Sequence, residues 1–280
     1  MLRRIFLAIG LTALILAPVN GLARAAADPV ADLARALALP RLFEVLRAEG
    51  LDYGAELEAE LFPGAGGPRW TATVGTLHDS ARMEATAMAR LRDELGAYPD
   101  AVARMIDFFN ADTGARIVAL ELAAREGYLD DTVKDAAEVA FEDMVANASP
   151  RLDQIRRLVE ANDLIEQNVA GALNGNLAFY RGMIDGGGIV ANLPEAEMMA
   201  DLWSQEPQIR QDTTAWLMPY LALAYRPLSD VDLETYIAFS ETPEGQLLNR
   251  ALFSAFDVVF NGLSRDLGLA AAQFVQGQDI

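Results

Sequence analysis

Cysteine is absent from these 280 residues, and histidine and lysine occur once each, as His78 and Lys134. Without a thiol there is no disulfide framework, no thiolate nucleophile and no lipid-modified anchor cysteine. One histidine leaves a zinc site dependent almost wholly on carboxylates, an uncommon donor set. Positive charge is scarce too. Lys and Arg total 22 against 41 Asp and Glu, a formal charge of −19. Such a balance repels phosphate backbones, so nucleic acid is not an expected partner. Alternation of the strand type is nearly missing, which points to an all-α fold.

What the chain does have is apolar mass: 52% of its residues are hydrophobic. A sizeable core can be buried, and the acidity marks a solvated surface rather than disorder. Residues 1–27 read as a signal peptide. Arg3 and Arg4 precede an apolar run from Ile5 to Val19, and Ala25-Ala26-Ala27 offers small residues to a signal peptidase. The run is shorter than the ~20 residues of a membrane span, so no transmembrane anchor is expected after cleavage. Arg3-Arg4-Ile5-Phe6-Leu7 resembles a twin-arginine signal, but no polar residue precedes the arginines and the core is strongly apolar. The general secretory route is therefore preferred, and either route places the mature chain in the periplasm or outside the cell. Losing Arg3, Arg4 and Arg24 takes the charge three units further, to −22.

Helical periodicity continues from Asp28 onward. Trp70, Val74, Leu77, Ala81, Met88, Leu91 and Leu95 recur at three or four residues and predict one long helix over 70–95. Asp112 is placed to cap a helix carrying Ile117 and Leu120, and Glu121 and Arg125 read as an exposed i,i+4 pair on it. Asn147-Ala148-Ser149-Pro150 breaks the pattern, dividing the mature chain into lobes over 28–147 and 148–280. Gly186-Gly187-Gly188 reads as a linker, Pro194 as a helix start, and Pro219 as a kink within a later helix.

One stretch organises the rest. An apolar helix runs through Leu233, Tyr236 and Ile237 to Phe239, and a new helix starts at Thr242-Pro243-Glu244-Gly245. Thr242 is a good N-cap, Pro243 suits the first helical position, and Gly245 lets two backbones approach. A shift of 131 residues superposes Ile106 on Ile237, Phe108 on Phe239 and Gly114 on Gly245. Two related multi-helix lobes, each built on a tight helix–helix corner, follow from that internal repeat.

Phe239-Ser240-Glu241-Thr242-Pro243-Glu244-Gly245-Gln246 resembles the F-Y-x-S-P-x-G-Q-K signature of a secreted bacterial family known only as a domain of unknown function. Phe239, Pro243, Gly245 and Gln246 match, whereas Ser240, Thr242 and Leu247 depart from it. The likeness spans Ser229 to Phe260, and the first corner keeps only its Phe and Gly. It implies an exported, all-helical protein and brings no catalytic residues.

No activating constellation is visible. His78, Asp79 and Ser80 are consecutive on a helix and point in different directions, so they form no triad. His78 lies off the Trp70–Val74–Leu77 stripe and reads as a solvated surface residue. The Asp130/Asp131/Asp135 and Asp230/Asp232/Glu234 groups sit at helix starts, where the helix dipole favours carboxylates, and lack a calcium-loop pattern. No metal or cofactor is expected. Trp203, Trp216, Met218, Tyr220 and Tyr225 read first as core, with Trp216, Met218 and Tyr220 as walls of a possible apolar groove beside Pro219. The expected function is a non-catalytic binding or interaction module of the cell envelope, its partner an envelope protein, a peptide or an apolar ligand. The alternatives are a carboxylate-dependent envelope hydrolase, such as one acting on glycans, and a structural or assembly factor.

Overall fold

The computed structural model describes residues 28–187 and 195–277, which are helical with no strand among them. The leader expected at 1–27, Gly188 and Pro194 lie outside the described residues. Among those described, no helix is long and apolar enough to cross a membrane.

Helix α1 (Pro29–Ala36) opens on Asp28, whose carboxylate accepts from the amides of Val30 and Ala31. Helix α2 (Leu39–Leu61) then runs unbroken through Gly50. The long helix expected over 70–95 is two helices, α3 (Gly67–Leu77) and α4 (Ser80–Leu95). The expected stripe shifts at the break, where Ala81 is exposed and the buried face of α4 starts at Met83; Asp79 adopts an extended backbone and caps α4 by accepting from the Arg82 amide at 2.8 Å. A side-chain acceptor for an otherwise unpaired helix-start amide makes the interruption favourable.

The first corner joins α5 (Pro99–Asn110) to α6 (Asp112–Gly127). Its N-cap position is Ala111, with Asp112 already at the first helical position, so the expected Asp112 cap is not made. Helices α7 (Asp131–Ala146), α8 (Pro150–Ala161), α9 (Leu164–Asp185), α10 (Glu195–Ser204) and α11 (Glu206–Tyr225) lead to α12 (Asp230–Ser240) and the second corner. There Thr242 Oγ1 accepts from the Gly245 amide at 3.0 Å and donates to the Phe239 carbonyl at 2.6 Å, and Pro243 begins α13 (Pro243–Val275).

The two corners share a geometry. A Cβ on Gly245 would stand 2.2 Å from the Phe239 carbonyl oxygen, and one on Gly114 would stand 2.1 Å from that of Phe108. Only glycine allows each new helix to leave so close to the end of the old one. The corners also meet: Phe108 and Phe239 stack at 3.9 Å with planes 9° apart, and Glu244 pairs with Arg104 across the contact. Phe239 is half-buried in this stack rather than sunk in the core.

Helix α13, 33 residues and about 50 Å long, is the strut of the molecule. Its contacts with α9 advance together, Asn174 meeting Asp257 and Gly186 lying against Ala272, so the two run parallel. A Cβ on Gly182 would fall 2.0 Å from the Arg265 carbonyl oxygen, a backbone-to-backbone crossing that larger residues would prevent. On its other side α4 runs antiparallel, with Arg82 on Asp266 and Arg90 on Ser254. Leu248, Ala251, Ala255 and Phe256 of α13 thus share a hydrophobic cluster with Leu33, Phe43, Met83 and Met105. A second cluster joins Ile117 and Tyr128 to Ile155, Leu217 and Tyr225. Both clusters draw on residues from either side of Asn147–Ala148.

Candidate functional site

Helix α6 leaves its first corner pressed against α2, α5, α11 and α12. Residues expected on its surface are consequently inside. Glu121 and Arg125 are both buried, Arg125 at 1% exposure, and the exposed surface pair expected from their spacing does not exist. The i,i+4 spacing does put them on one face, but a helix enclosed on several sides has no solvated face to offer.

Arg125 makes a two-pronged contact with Glu49 of α2, Nε to Oε1 at 2.6 Å and Nη2 to Oε2 at 2.7 Å. Burial by itself would discourage the charge, but the Glu49 carboxylate and its hydrogen bonds outweigh that, and the guanidinium pKa is held above its ordinary value. The face of the half-buried Trp216 covers the guanidinium, 5.4 Å from ring centroid to Cζ. Nη1 has no hydrogen-bond partner. Neither do the hydroxyls of Tyr53 and Tyr128. A buried donor or acceptor left unmatched costs about 1–3 kcal/mol, so three in one place are an unusual concentration.

All three belong to residues lining one cavity of about 200 Å³. Its wall takes Leu46, Glu49 and Tyr53 from α2, Arg125 from α6, Lys134 from α7, Trp216 from α11, and Phe260, Leu263 and Leu267 from α13. The cavity is thus a product of both halves of the chain. Lys134, the single lysine, is half-buried at its edge and paired with Asp131 at 2.7 Å. Burial, reinforced by nearby Glu60 and Glu56 for Tyr53 and by Glu138 for Tyr128, pushes both phenol pKa values well up. Both hydroxyls therefore keep their protons at neutral pH.

His78 also lines this cavity, which corrects its expected surface position: it is 3% exposed. The break after Leu77 turns the ring inward, where it packs on Gly50 so closely that a Cβ there would lie 1.9 Å from the ring. Nδ1 lies 3.0 Å from the Val74 carbonyl oxygen, which can only accept, so Nδ1 carries the proton and Nε2 is left as an acceptor. Burial lowers the ring pKa, the Val74 bond opposes this, and the Arg47 charge adds to the lowering.

The sign of the stability effect follows. The unfolded chain takes up a proton near the ordinary value of 6.5, the folded ring only at lower pH. This group leaves stability unchanged above that value and subtracts from it as pH falls below, by up to about 1.4 kcal/mol per pH unit. Carboxylates held low, such as Asp28 and Asp232, act nearer their ordinary 3.8. Chemical denaturation between pH 6.5 and 5 should show stability falling in the parent and a flatter profile in His78→Gln. An unchanged slope would place the titrating group elsewhere.

One turn earlier on α6, Glu121 accepts from the Tyr225 hydroxyl, and the Tyr220 hydroxyl donates to the Glu121 carbonyl oxygen at 2.9 Å. Burial, then the Glu121 charge, drives the Tyr225 and Tyr236 phenols far above the ordinary value. These tyrosines tie the interior together beside the second corner. Tyr220 and Met218 are therefore core, and the groove expected of Trp216, Met218 and Tyr220 is not formed as a unit. Trp216 alone of the three reaches a cavity of useful size, stacked on Tyr220 at 5.0 Å. Trp203, 63% exposed, instead lines a separate cavity of about 470 Å³ among α9, α10 and α11, where Arg210 binds both Glu166 and Glu206. Among the described residues, no group of three or more His, Asp or Glu gathers as a metal site would require.

Comparison with protein-family models, curated proteins and solved structures finds no match.

Proposed function

We propose that the mature chain is an exported, non-catalytic helical binding module of the bacterial cell envelope, and that its ligand occupies the cavity at Arg125. The observation that carries this reading is the set of unmatched polar atoms on residues lining it, Arg125 Nη1, Tyr53 OH and Tyr128 OH, in a cavity that Phe260, Leu263 and Leu267 also line. Pockets that bind small molecules combine an apolar lining with a few convergent polar groups. Residues that serve only the fold are normally satisfied within it. The envelope address rests on the basic and apolar leader and on the family resemblance around Phe239–Gln246. The duplicated corner, with its equivalent glycines and stacked phenylalanines, supports two related lobes joined face to face.

A hydrolase of the glycosidase type would need two carboxylates facing a substrate. Glu49 is the one carboxylate on this wall, and Arg125 occupies both its oxygens. Binding is the better use of the site. Thermal melts of the Tyr53→Phe/Tyr128→Phe variant test the reading, because hydroxyls kept for a ligand burden the empty fold while hydroxyls kept for the fold support it.

A further inference from the structure

Resting on that reading, we propose that the ligand is a small monocarboxylate with a compact apolar body, the size of phenylacetate or hexanoate. Three features of the wall select it. The first is the donor set. Arg125 offers only its Nη1 edge, since Nε and Nη2 are spent on Glu49, and Tyr53 and Tyr128 each add one hydroxyl. A carboxylate presents two oxygens with about four acceptor directions, enough to accept from Nη1 and from both phenols.

The second is charge. Glu49 takes Arg125 and Asp131 takes Lys134, so these four charges sum to zero and each further negative charge must be held by hydrogen bonds, which is harder for two than for one. A phosphate dianion brought into this space would face the Glu49 carboxylate without a free cation of its own. A single charge, shared between Nη1 and the two phenols with Lys134 at the edge, is what the wall can hold.

The third is size and lining. An engineered apolar cavity of about 150 Å³ admits benzene. The 200 Å³ here has room for one ring or a six-carbon chain together with its carboxylate, against Leu46, Phe260, Leu263 and Leu267. The three polar atoms are themselves covered, and Trp216 stands over the guanidinium.

Isothermal titration of the mature full chain tests the inference, with phenylacetate, hexanoate, the neutral phenylacetamide, phenylphosphonate and toluene as probes. At least one of the two carboxylates should bind tenfold or more tightly than phenylacetamide and phenylphosphonate. Tyr53→Phe/Tyr128→Phe should weaken that carboxylate about tenfold, and Lys134→Met should shrink its advantage over phenylacetamide. Equal or tighter binding of phenylacetamide or phenylphosphonate overturns the carboxylate assignment while the cavity stands as a binding site. Binding of toluene alone overturns it in the same way. If none of the five binds, the cavity reading itself falls.

Discussion

Arg125→Met should destabilise the protein more than any other side-chain truncation on the cavity wall. Removing one partner of a buried ion pair costs about 3–5 kcal/mol, because the other charge is left where solvent cannot compensate it. Glu49 keeps 27% of its side chain exposed, which points to the lower end, about 3 kcal/mol. That is a large part of the 5–15 kcal/mol that holds a typical domain together, and it corresponds to a fall of about 6–12 °C in melting temperature. Adding Glu49→Gln removes the stranded charge, so the double variant should recover most of the loss. The pair is then coupled, as a double-mutant cycle measures. A single Arg125→Met variant that melts with the parent would mean that the guanidinium is solvated and the interior is not as described.

The second large effect belongs to the corners. Gly245→Ala sets a methyl 2.2 Å from the Phe239 carbonyl oxygen and 2.9 Å from the Ser240 Cα. Both obstacles are backbone, and only Glu241 and Thr242 separate α12 from α13, so neither can yield without opening the corner. About 3 kcal/mol, the upper end of the usual cost of overpacking, is expected, and Gly245→Leu should not fold. Gly114→Ala should behave alike, since its clash is 2.1 Å with the Phe108 oxygen. Thr242→Ala removes one cap acceptor and should cost about 1 kcal/mol. Phe239→Ala should fall between them, as its ring is half-buried against Phe108. Melts of the four single variants give the order. Thr242→Ala damaging more than Gly245→Ala would contradict the close backbone contact.

The same residues show what a sequence reveals. Thr242, Pro243 and Gly245 act through neighbours within a few positions, so their roles are legible from spacing alone. Ser229 likewise caps α12 through the Asp232 amide. The break at Asp79 is not legible, because Leu77 and Ala81 keep helical spacing in the sequence, although Ala81 is exposed in the fold, and the deciding contact is one side-chain oxygen. Glu121, Arg125 and His78 look like surface residues in the sequence for a related reason. Spacing shows which residues share a helix face, not how many elements cover it, and α6 is enclosed by helices from both halves of the chain. Tyr128 is local to Arg125, three residues on at the end of α6, but Tyr53 carries no local signal: its bearing on Arg125 arises only when α2 and α6 are brought together.

The most direct test compares tyrosines that have partners with tyrosines that do not. Tyr220 and Tyr225 donate to Glu121, whereas the hydroxyls of Tyr53 and Tyr128 have no protein partner. Thermal melts of ligand-free protein should therefore split by sign. Tyr220→Phe and Tyr225→Phe should each lose about 1 kcal/mol or more, a fall of a few degrees. Tyr53→Phe/Tyr128→Phe should gain a few degrees, having shed two buried hydroxyls that no protein group matches. A double variant that melts below the parent would show that these hydroxyls serve the fold, and the cavity at Arg125 would lose its claim to be a site.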